Sequence, residues 1–288
     1  MDIVIYWICS IGYYTGSQKA AGKGISMNIV VCIKQVPDTN KVEVDPVTGV
    51  LKRNGVDSKM NPYDLYAIEC AMRLKEATDG KVTVLSMGPP QAEAVIREAY
   101  SLGADDGILL TDRAFAGADV LATSRALSEG IRLAGEFDLV LCGKQSTDGD
   151  TAQVGPEISE WLSLPSVTNV TEIISHDSET ITVRRELPTA SETLRLRFPC
   201  LLSVDKDIFI PRLPSYLKKK ATKDRPVRYV SLKDLPDADP SHYGLNGSPT
   251  QVQRIFPPAV NDSRETWTGS EEKTAKQLAD KLKELKFI

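Results

Sequence analysis

A chain of 288 residues with 41% hydrophobic content is long enough to bury one large core and still carry an extended arm. Its net charge of −4, with acidic and basic residues interspersed, provides no broad field for nucleic acid or an anionic membrane and favours small-molecule and protein partners. Five scattered cysteines (Cys9, Cys32, Cys70, Cys142, Cys200) without a C-x-x-C pair read as reduced, buried thiols of a cytoplasmic protein, and two isolated histidines, His176 and His242, are too few for a structural zinc site.

Residues 1–26 form an extension of unknown role: 3–11 are largely apolar, yet Asp2 replaces the basic start of a signal peptide, and the run is too short to span a bilayer. Within it, residues 16–24 imitate a P-loop but have one residue too many between the glycines and Gly24 where Ser or Thr would hold magnesium. From Met27 onward short apolar runs alternate with helical periods, the pattern of a parallel sheet with crossover helices. Strands are expected at 28–34, 81–86, 107–111 and 137–142; their unbroken apolar character suits strands covered on both faces. A hairpin around a Pro-containing turn is expected at 42–53. Asn61 can cap a helix with Pro62 at its first position, a second helix covers about 91–102 and stops at Gly103, a third follows Asp119, and a fourth covers about 156–162.

After Pro165 the period changes, and 181–186, 192–198 and 200–204 read as an antiparallel extension of the sheet. The compact domain is expected to span 27–205. Residues 206–288 read as an arm ending in a helix at about 271–286, with Ala275, Leu278, Leu282 and Leu285 on one face. The fold class is therefore α/β, a doubly wound, mostly parallel sheet with an antiparallel extension and a C-terminal arm.

The most informative stretch is CGKQSTDGDTAQVG at 142–155, between a buried strand and a helix. In open parallel sheets ligands bind beyond the carboxyl ends of the strands, where glycines allow close approach and the next helix offers unpaired N–H groups to phosphate. Lys144 could neutralise a phosphate; Ser146, Thr147, Thr151 and Gln153 offer hydroxyl and amide contacts; Asp148 and Asp150 suit ribose hydroxyls, adenine or backbone. A well-capped polar loop accounts for the same residues equally well. Two further strand ends, Cys32 to Gln35 and Met87 to Pro89, could face the same crevice, although Cys32 and Met87 could equally pack in the core. No G-x-G-x-x-G follows the first strand, no G-x-S-x-G occurs, and neither histidine is placed to serve a nucleophile, so a self-contained catalyst is disfavoured. The basic run of Lys218, Lys219 and Lys220 lacks the interleaved aromatics of a nucleic-acid site.

Taken together, VVCIKQVPD (30–38), MNPYD (60–64), MGP (87–89) and GKQSTDGDTAQVG (143–155) resemble the beta subunit of electron transfer flavoprotein, and VRRE (183–186) followed by ETLRLRFPCLLS (192–203) resembles its signature. The likeness covers nearly everything after Met27. It implies an adenine nucleotide hydrolase-like fold, an alpha-subunit partner embraced by residues 206–288, and docking of an acyl-CoA-type or other flavin dehydrogenase at a leucine followed by basic residues, here Leu213. DPVTG (45–49), GADVLATS (117–124), DGDTAQVG (148–155) and GSPTQV (247–252) resemble the electron-bifurcating members, whose beta subunit holds FAD. NADH would then be the electron donor and ferredoxin or flavodoxin the low-potential acceptor; in non-bifurcating members the beta subunit holds AMP instead.

Carried over by position, the resemblance places Cys32, Asn61, Pro62, Tyr63, Asp64, Met87, Gly143, Lys144, Gln145, Ser146, Thr147, Asp148, Gly149, Asp150, Thr151, Ala152, Gln153 and Val154 around the adenosine and diphosphate, and Asp119 and Thr123 nearer the flavin. Lys144 stands where bifurcating relatives commonly have Arg, and Ser146-Thr147 replaces a usual Ala-Ile. A stand-alone adenine-nucleotide sensor is the reading from another class, and the long arm argues against it. An ATP-cleaving, amide-forming enzyme would need a Ser- and Gly-rich loop after the first strand, which is absent.

Overall fold

Strands whose residues are apolar at every position have no wet face, and here they lie in the middle of a sheet covered by helices on both sides. The computed structural model describes residues 3–5, 26–38, 58–253 and 264–288; the expected hairpin at 42–53 and the P-loop-like stretch at 16–24 lie outside them. The residues divide into two compact units, one reaching to Val252 and the other containing 253–288.

In the first unit the elements are, in chain order, β1 (Ile3–Ile5), β2 (Asn28–Cys32), β3 (Gln35–Pro37), β4 (Ser58–Met60), α1 (Pro62–Thr78), β5 (Lys81–Met87), α2 (Glu93–Leu102), β6 (Asp106–Leu110), α3 (Val120–Leu133), β7 (Leu139–Gly143), α4 (Val154–Leu162), β8 (Ser166–His176), β9 (Thr180–Leu187), β10 (Ala190–Arg197), β11 (Cys200–Val204), α5 (Tyr216–Ala221) and β12 (Arg228–Val230). The main sheet runs β1-β10-β9-β8-β11-β7-β2-β5-β6-β12, and every pair from β8 to β12 in that order is parallel. Among the described residues of the main sheet only β9 and its partners β8 and β10 meet antiparallel, and β3 and β4 pair antiparallel in a separate two-stranded sheet.

Side chains alternate across the sheet with period two. Ile29, Val31, Val82, Val84 and Leu139 enter one buried cluster with Ala67, Ile68, Ala71 and Ile96 from α1 and α2. Val30, Cys32, Leu85, Val140 and Cys142 enter the other with Ala126, Leu127, Ile131 and Ile158 from α3 and α4. This is the doubly wound α/β arrangement that the sequence pattern indicates. The helix after Asn61 starts with Pro62 at its first turn and stops at Asp79 in the left-handed region, φ 47°.

One expectation is corrected. The sequence pattern groups residues 200–204 with the antiparallel extension, but β11 is parallel to both β7 and β8 and fully buried. A strand entered directly from a hairpin can still run parallel when β8 to β10 swing the chain back to the starting end of the sheet. The 11-residue β8 was not anticipated, because its residues from 171 onward alternate half-buried with exposed and carry Thr, Glu and Ser between the apolar positions.

Beyond Val204 the chain returns over α1 and α2, forms α5, and adds β12 beside β6. Tyr243 is 1% exposed and packs edge-on to Phe115 at 5.7 Å. In the second unit Ser270 caps α6 (Glu271–Glu284) through Lys273 N, and Lys281 pairs with Glu265 at 2.8 Å. Leu278 and Leu285 on this helix are exposed.

Candidate functional site

The chain builds β2, β5 and β6 outward in one direction, then returns to place β7 on the other side of β2. That reversal makes the carboxyl ends of β2 and β7 the switch point of the sheet, the position where open α/β sheets receive ligands in a crevice. Cys32 and Cys142 are direct cross-strand partners there and both are buried. A hydrogen bond to Cys32 and burial push the Cys142 thiol up. At 110 positions apart, the two cysteines give no sequence signal of pairing.

Asn61 and Asp64 form the floor of the rim. Asn61 is 1% exposed. Its Nδ2 donates to Asp64 Oδ1 at 2.9 Å and to the Gln145 carbonyl at 2.9 Å, while its Oδ1 accepts from Thr147 N at 3.2 Å. Asp64 Oδ2 accepts from Lys34 N at 2.7 Å. Burial lifts the Asp64 carboxyl to about 7, against the pull of the Asn61 and Lys34 hydrogen bonds. Gly143 meets this pair closely: a Cβ there would lie 2.6 Å from Asp64 Oδ1 and 2.7 Å from the Tyr63 carbonyl carbon. Only glycine lets β7 end against the first turn of α1.

The loop from Lys144 to Gln153 is tied at several points. Lys144 Nζ pairs with Asp205 Oδ2 at 2.8 Å, Lys34 Nζ with Asp148 Oδ1 at 2.7 Å, and Gln145 Nε2 donates to Asp150. Both lysines that could face a phosphate are therefore charge-compensated locally. Backbone donors remain. Asp150 and Ala152 adopt positive φ, 54° and 55°, turns of the kind that aim successive amides at one point. Among the described residues no acceptor meets the amides of 151–155, and these lead into the first turn of α4, whose dipole favours negative charge. Neutral donors, hydroxyls of Ser146 and Thr147, and two compensated lysines form a donor set that fits a nucleotide with its phosphates at the amides.

Met87 ends β5, half-buried against the α3 side of the core. Asp119 caps α3 through Ala122 N and also accepts from Thr250 N at 3.0 Å and Thr250 Oγ1 at 2.7 Å; its own amide donates to Ser248 Oγ at 2.8 Å. The 117–124 and 247–252 motifs thus meet, with the Asp119 carboxylate engaged within the protein. Thr123 is half-buried one turn further on. Leu213 lies apart from this crevice and is 88% exposed.

The sequence singles out the 32–35 strand end and the 247–252 motif without giving Lys34, Ser248 or Thr250 a role, and it passes over Asp205. Asp205 follows the carboxyl end of β11 and would have been a candidate had that strand been read as parallel; Lys34 stands just beyond β2 and carried the same signal. Among the described residues no group of three His, Cys, Asp or Glu side chains could hold a metal ion, and no helix is long and apolar enough to cross a membrane.

A doubly wound sheet with a polar, glycine-containing rim at its switch point defines a nucleotide-site protein of the α/β class. Residues 48–235 match the electron transfer flavoprotein domain. Across 257 residues the chain is 45% identical to the electron transfer flavoprotein subunit beta of Thermoanaerobacterium thermosaccharolyticum, covering 89% of this chain and 98% of that one. It is 43% identical to the Caffeyl-CoA reductase-Etf complex subunit CarD of Acetobacterium woodii, covering 91% and 100%, and 43% identical to protein FixA of Rhizobium meliloti, covering 89% and 90%. The chain belongs to the electron transfer flavoprotein family, among its beta subunits. An electron-transfer role, association with a flavin or nucleotide, an alpha-subunit partner and a dehydrogenase follow from that membership.

Proposed function

We propose that the rim between β2 and β7 grips the AMP half of FAD, and that the chain passes electrons from NADH by flavin-based bifurcation. The observation that carries this reading is the convergence at one crevice of residues remote in sequence: Cys32 and Lys34, the Asn61-Asp64 pair, and the loop opened by Gly143.

The roles follow from the contacts. Asn61 holds the loop at Gln145 and Thr147, so that the amides of 151–155 stay aligned without reorganising when phosphate arrives. The compensated Lys34 and Lys144 keep the rim from capturing anions indiscriminately, leaving shape and hydrogen bonding to select the nucleotide. A hydrogen bond to Cys32 and burial hold Cys142 in its thiol form beside the rim. A flavin held by Asn61 and the 143–154 loop would supply hydride acceptance and single-electron release, through which electrons could reach the alpha-subunit flavin with its dehydrogenase and a low-potential acceptor such as ferredoxin or flavodoxin. The names of the CarD and FixA relatives, one of them a subunit of a reductase-Etf complex, support membership in a larger redox assembly. Leu213, exposed ahead of Lys218, Lys219 and Lys220, is the proposed contact for a flavin dehydrogenase.

The test is to co-express the chain with its alpha subunit, denature the purified pair and count the released cofactors. Two FAD per pair is the expected result. One FAD and one AMP would replace this reading with the non-bifurcating one, and a stable monomer binding ATP or AMP without alpha would replace it with the sensor.

A further inference from the structure

Between residues 210 and 217 the chain turns four large apolar side chains to solvent: Ile210 is 87% exposed, Leu213 88%, Tyr216 76% and Leu217 76%. A surface segment so poor in apolar contacts of its own would ordinarily move freely, and ordering it on association would weaken any complex it made. Its underside, however, is fixed by ionic and hydrogen bonds. Glu69, inside α1 and 3% exposed, accepts at Oε2 from Arg212 Nε at 2.7 Å and from the Arg212 amide at 3.1 Å. Its Oε1 accepts from Arg73 Nε at 2.9 Å and from Arg212 Nη2 at 3.3 Å. Arg212 Nη1 reaches Glu76 at 2.6 Å, and the Arg73 guanidinium lies over the Phe209 ring at 4.4 Å. Further along, Ser215 N donates to the Ser101 carbonyl at 3.0 Å and Lys218 Nζ to that of Leu102 at 3.4 Å, which ties α5 to the end of α2.

We propose that Glu69 and Arg212 are positioning residues for dehydrogenase docking: their buried bidentate pair clamps the 209–218 segment to α1 so that Ile210, Leu213, Tyr216 and Leu217 present one preformed apolar surface beside the basic Lys218-Lys219-Lys220 edge. This rests on the reading that Leu213 contacts a flavin dehydrogenase. The pair sets the register, because sliding the chain by one residue would remove Arg212 from Glu69 and leave the Oε2 of a buried carboxylate unpaired, with Arg73 alone on its Oε1, a costly alternative. Both the amide and the guanidinium of Arg212 are engaged, so backbone and side chain are located together. The surface so presented, apolar at its centre and basic at one side, fits a partner with an apolar pocket rimmed by carboxylates.

The experiment uses the co-purified alpha-beta pair as electron acceptor for a purified acyl-CoA dehydrogenase reduced by its acyl-CoA, with the KM for the pair and kcat measured separately. Glu69→Gln and Arg212→Gln are each expected to raise KM about tenfold, the size of effect seen when a residue central to an interface is lost, with kcat at saturation and flavin content unchanged. Leu213→Ala should raise KM likewise, and adding Arg212→Gln to it should raise KM little further. Arg212, partly exposed and outside α1, keeps the test decisive should Glu69→Gln fail to fold. If Leu213→Ala raises KM while Arg212→Gln changes it less than twofold, the clamp is overturned and the docking surface stands; if neither changes KM, the docking reading itself falls.

Discussion

Two buried acids on α1, Asp64 in its first turn and Glu69 five residues later, each catch a stretch of chain lying across the helix, and they ionise in opposite directions. Asp64 meets neutral donors, the Asn61 amide and the Lys34 backbone N–H, and burial raises its carboxyl to about 7. Glu69 exposes as little surface but lies less deep; burial raises it too, and the Arg212 and Arg73 hydrogen bonds outweigh desolvation and hold it below the ordinary range. Depth and the formal charge of the partners together set the charge of an interior acid. At the rim the result is a nearly neutral floor suited to a nucleotide whose phosphates lie at backbone amides. Under the 209–218 segment the result is a permanent ion pair suited to holding a surface rigid.

The largest expected effect comes from closing the space over the first acid. In Gly143→Ala the new Cβ meets Asp64 Oδ1 at 2.6 Å and the Tyr63 carbonyl oxygen at 2.8 Å. The backbone of Tyr63 lies within α1, so the contact cannot be relieved by rotating a side chain. A loss of about 3 kcal/mol, the upper range for inserting a methyl into packed structure, is expected from urea unfolding, together with a purified pair depleted in the rim-bound nucleotide. Wild-type stability and full cofactor content would show that β7 and α1 can separate, and the distinction between the two acids would lose its structural basis.

The titration of Asp64 provides the next largest effect. The folded protein keeps its proton until about pH 7, whereas the unfolded chain releases it near the ordinary aspartate value of 3.8. The folded state binds more protons between those values, so the stabilisation from this group is full below the lower one and lost as pH rises through the higher one. Urea midpoints of the wild type should fall over about pH 4 to 7, and Asp64→Asn should flatten that fall. An unchanged slope in the variant would assign the pH dependence to other groups. Glu69, with its lowered value, contributes in the opposite sense: its stabilisation is present at neutral pH and disappears as acid protonates it.

How much of this was legible in sequence depended on whether the signal was local. Unbroken apolar runs announced the parallel strands, Asn61 and Pro62 announced the start of α1, and the 143–155 motif announced a rim. What failed was non-local. The parallel direction of β11 depends on β8 to β10 carrying the chain back across the sheet, and with that direction misread Asp205 escaped notice as the partner of Lys144. Cys32 beside Cys142, and Asp119 fastening Ser248 and Thr250, are meetings of residues more than a hundred positions apart. Glu69 was invisible for a different reason. On a helical wheel it is one more charged residue among Arg73, Lys75 and Glu76, and nothing short of the returning 206–218 segment distinguishes the buried acid from the exposed one.

Glu76 therefore supplies the smallest prediction and the sharpest control. It touches the same guanidinium as Glu69, at 2.6 Å, but its side chain is 60% exposed where that of Glu69 is 4%. In water-accessible surroundings the attraction is screened and partly cancelled by the entropy of holding two long side chains, so Glu76→Gln should change the urea midpoint by no more than about 0.5 kcal/mol. Glu69→Gln leaves a guanidinium facing a neutral amide in a nearly closed space and should cost several times as much, about 2 kcal/mol. Raising salt to about 1 M should erase what difference Glu76→Gln makes and leave the Glu69→Gln deficit in place, because screening acts on exposed charges far more than on enclosed ones. Equal losses from the two variants, or equal sensitivity to salt, would mean that the number of ion pairs rather than their enclosure holds the 209–218 segment to α1.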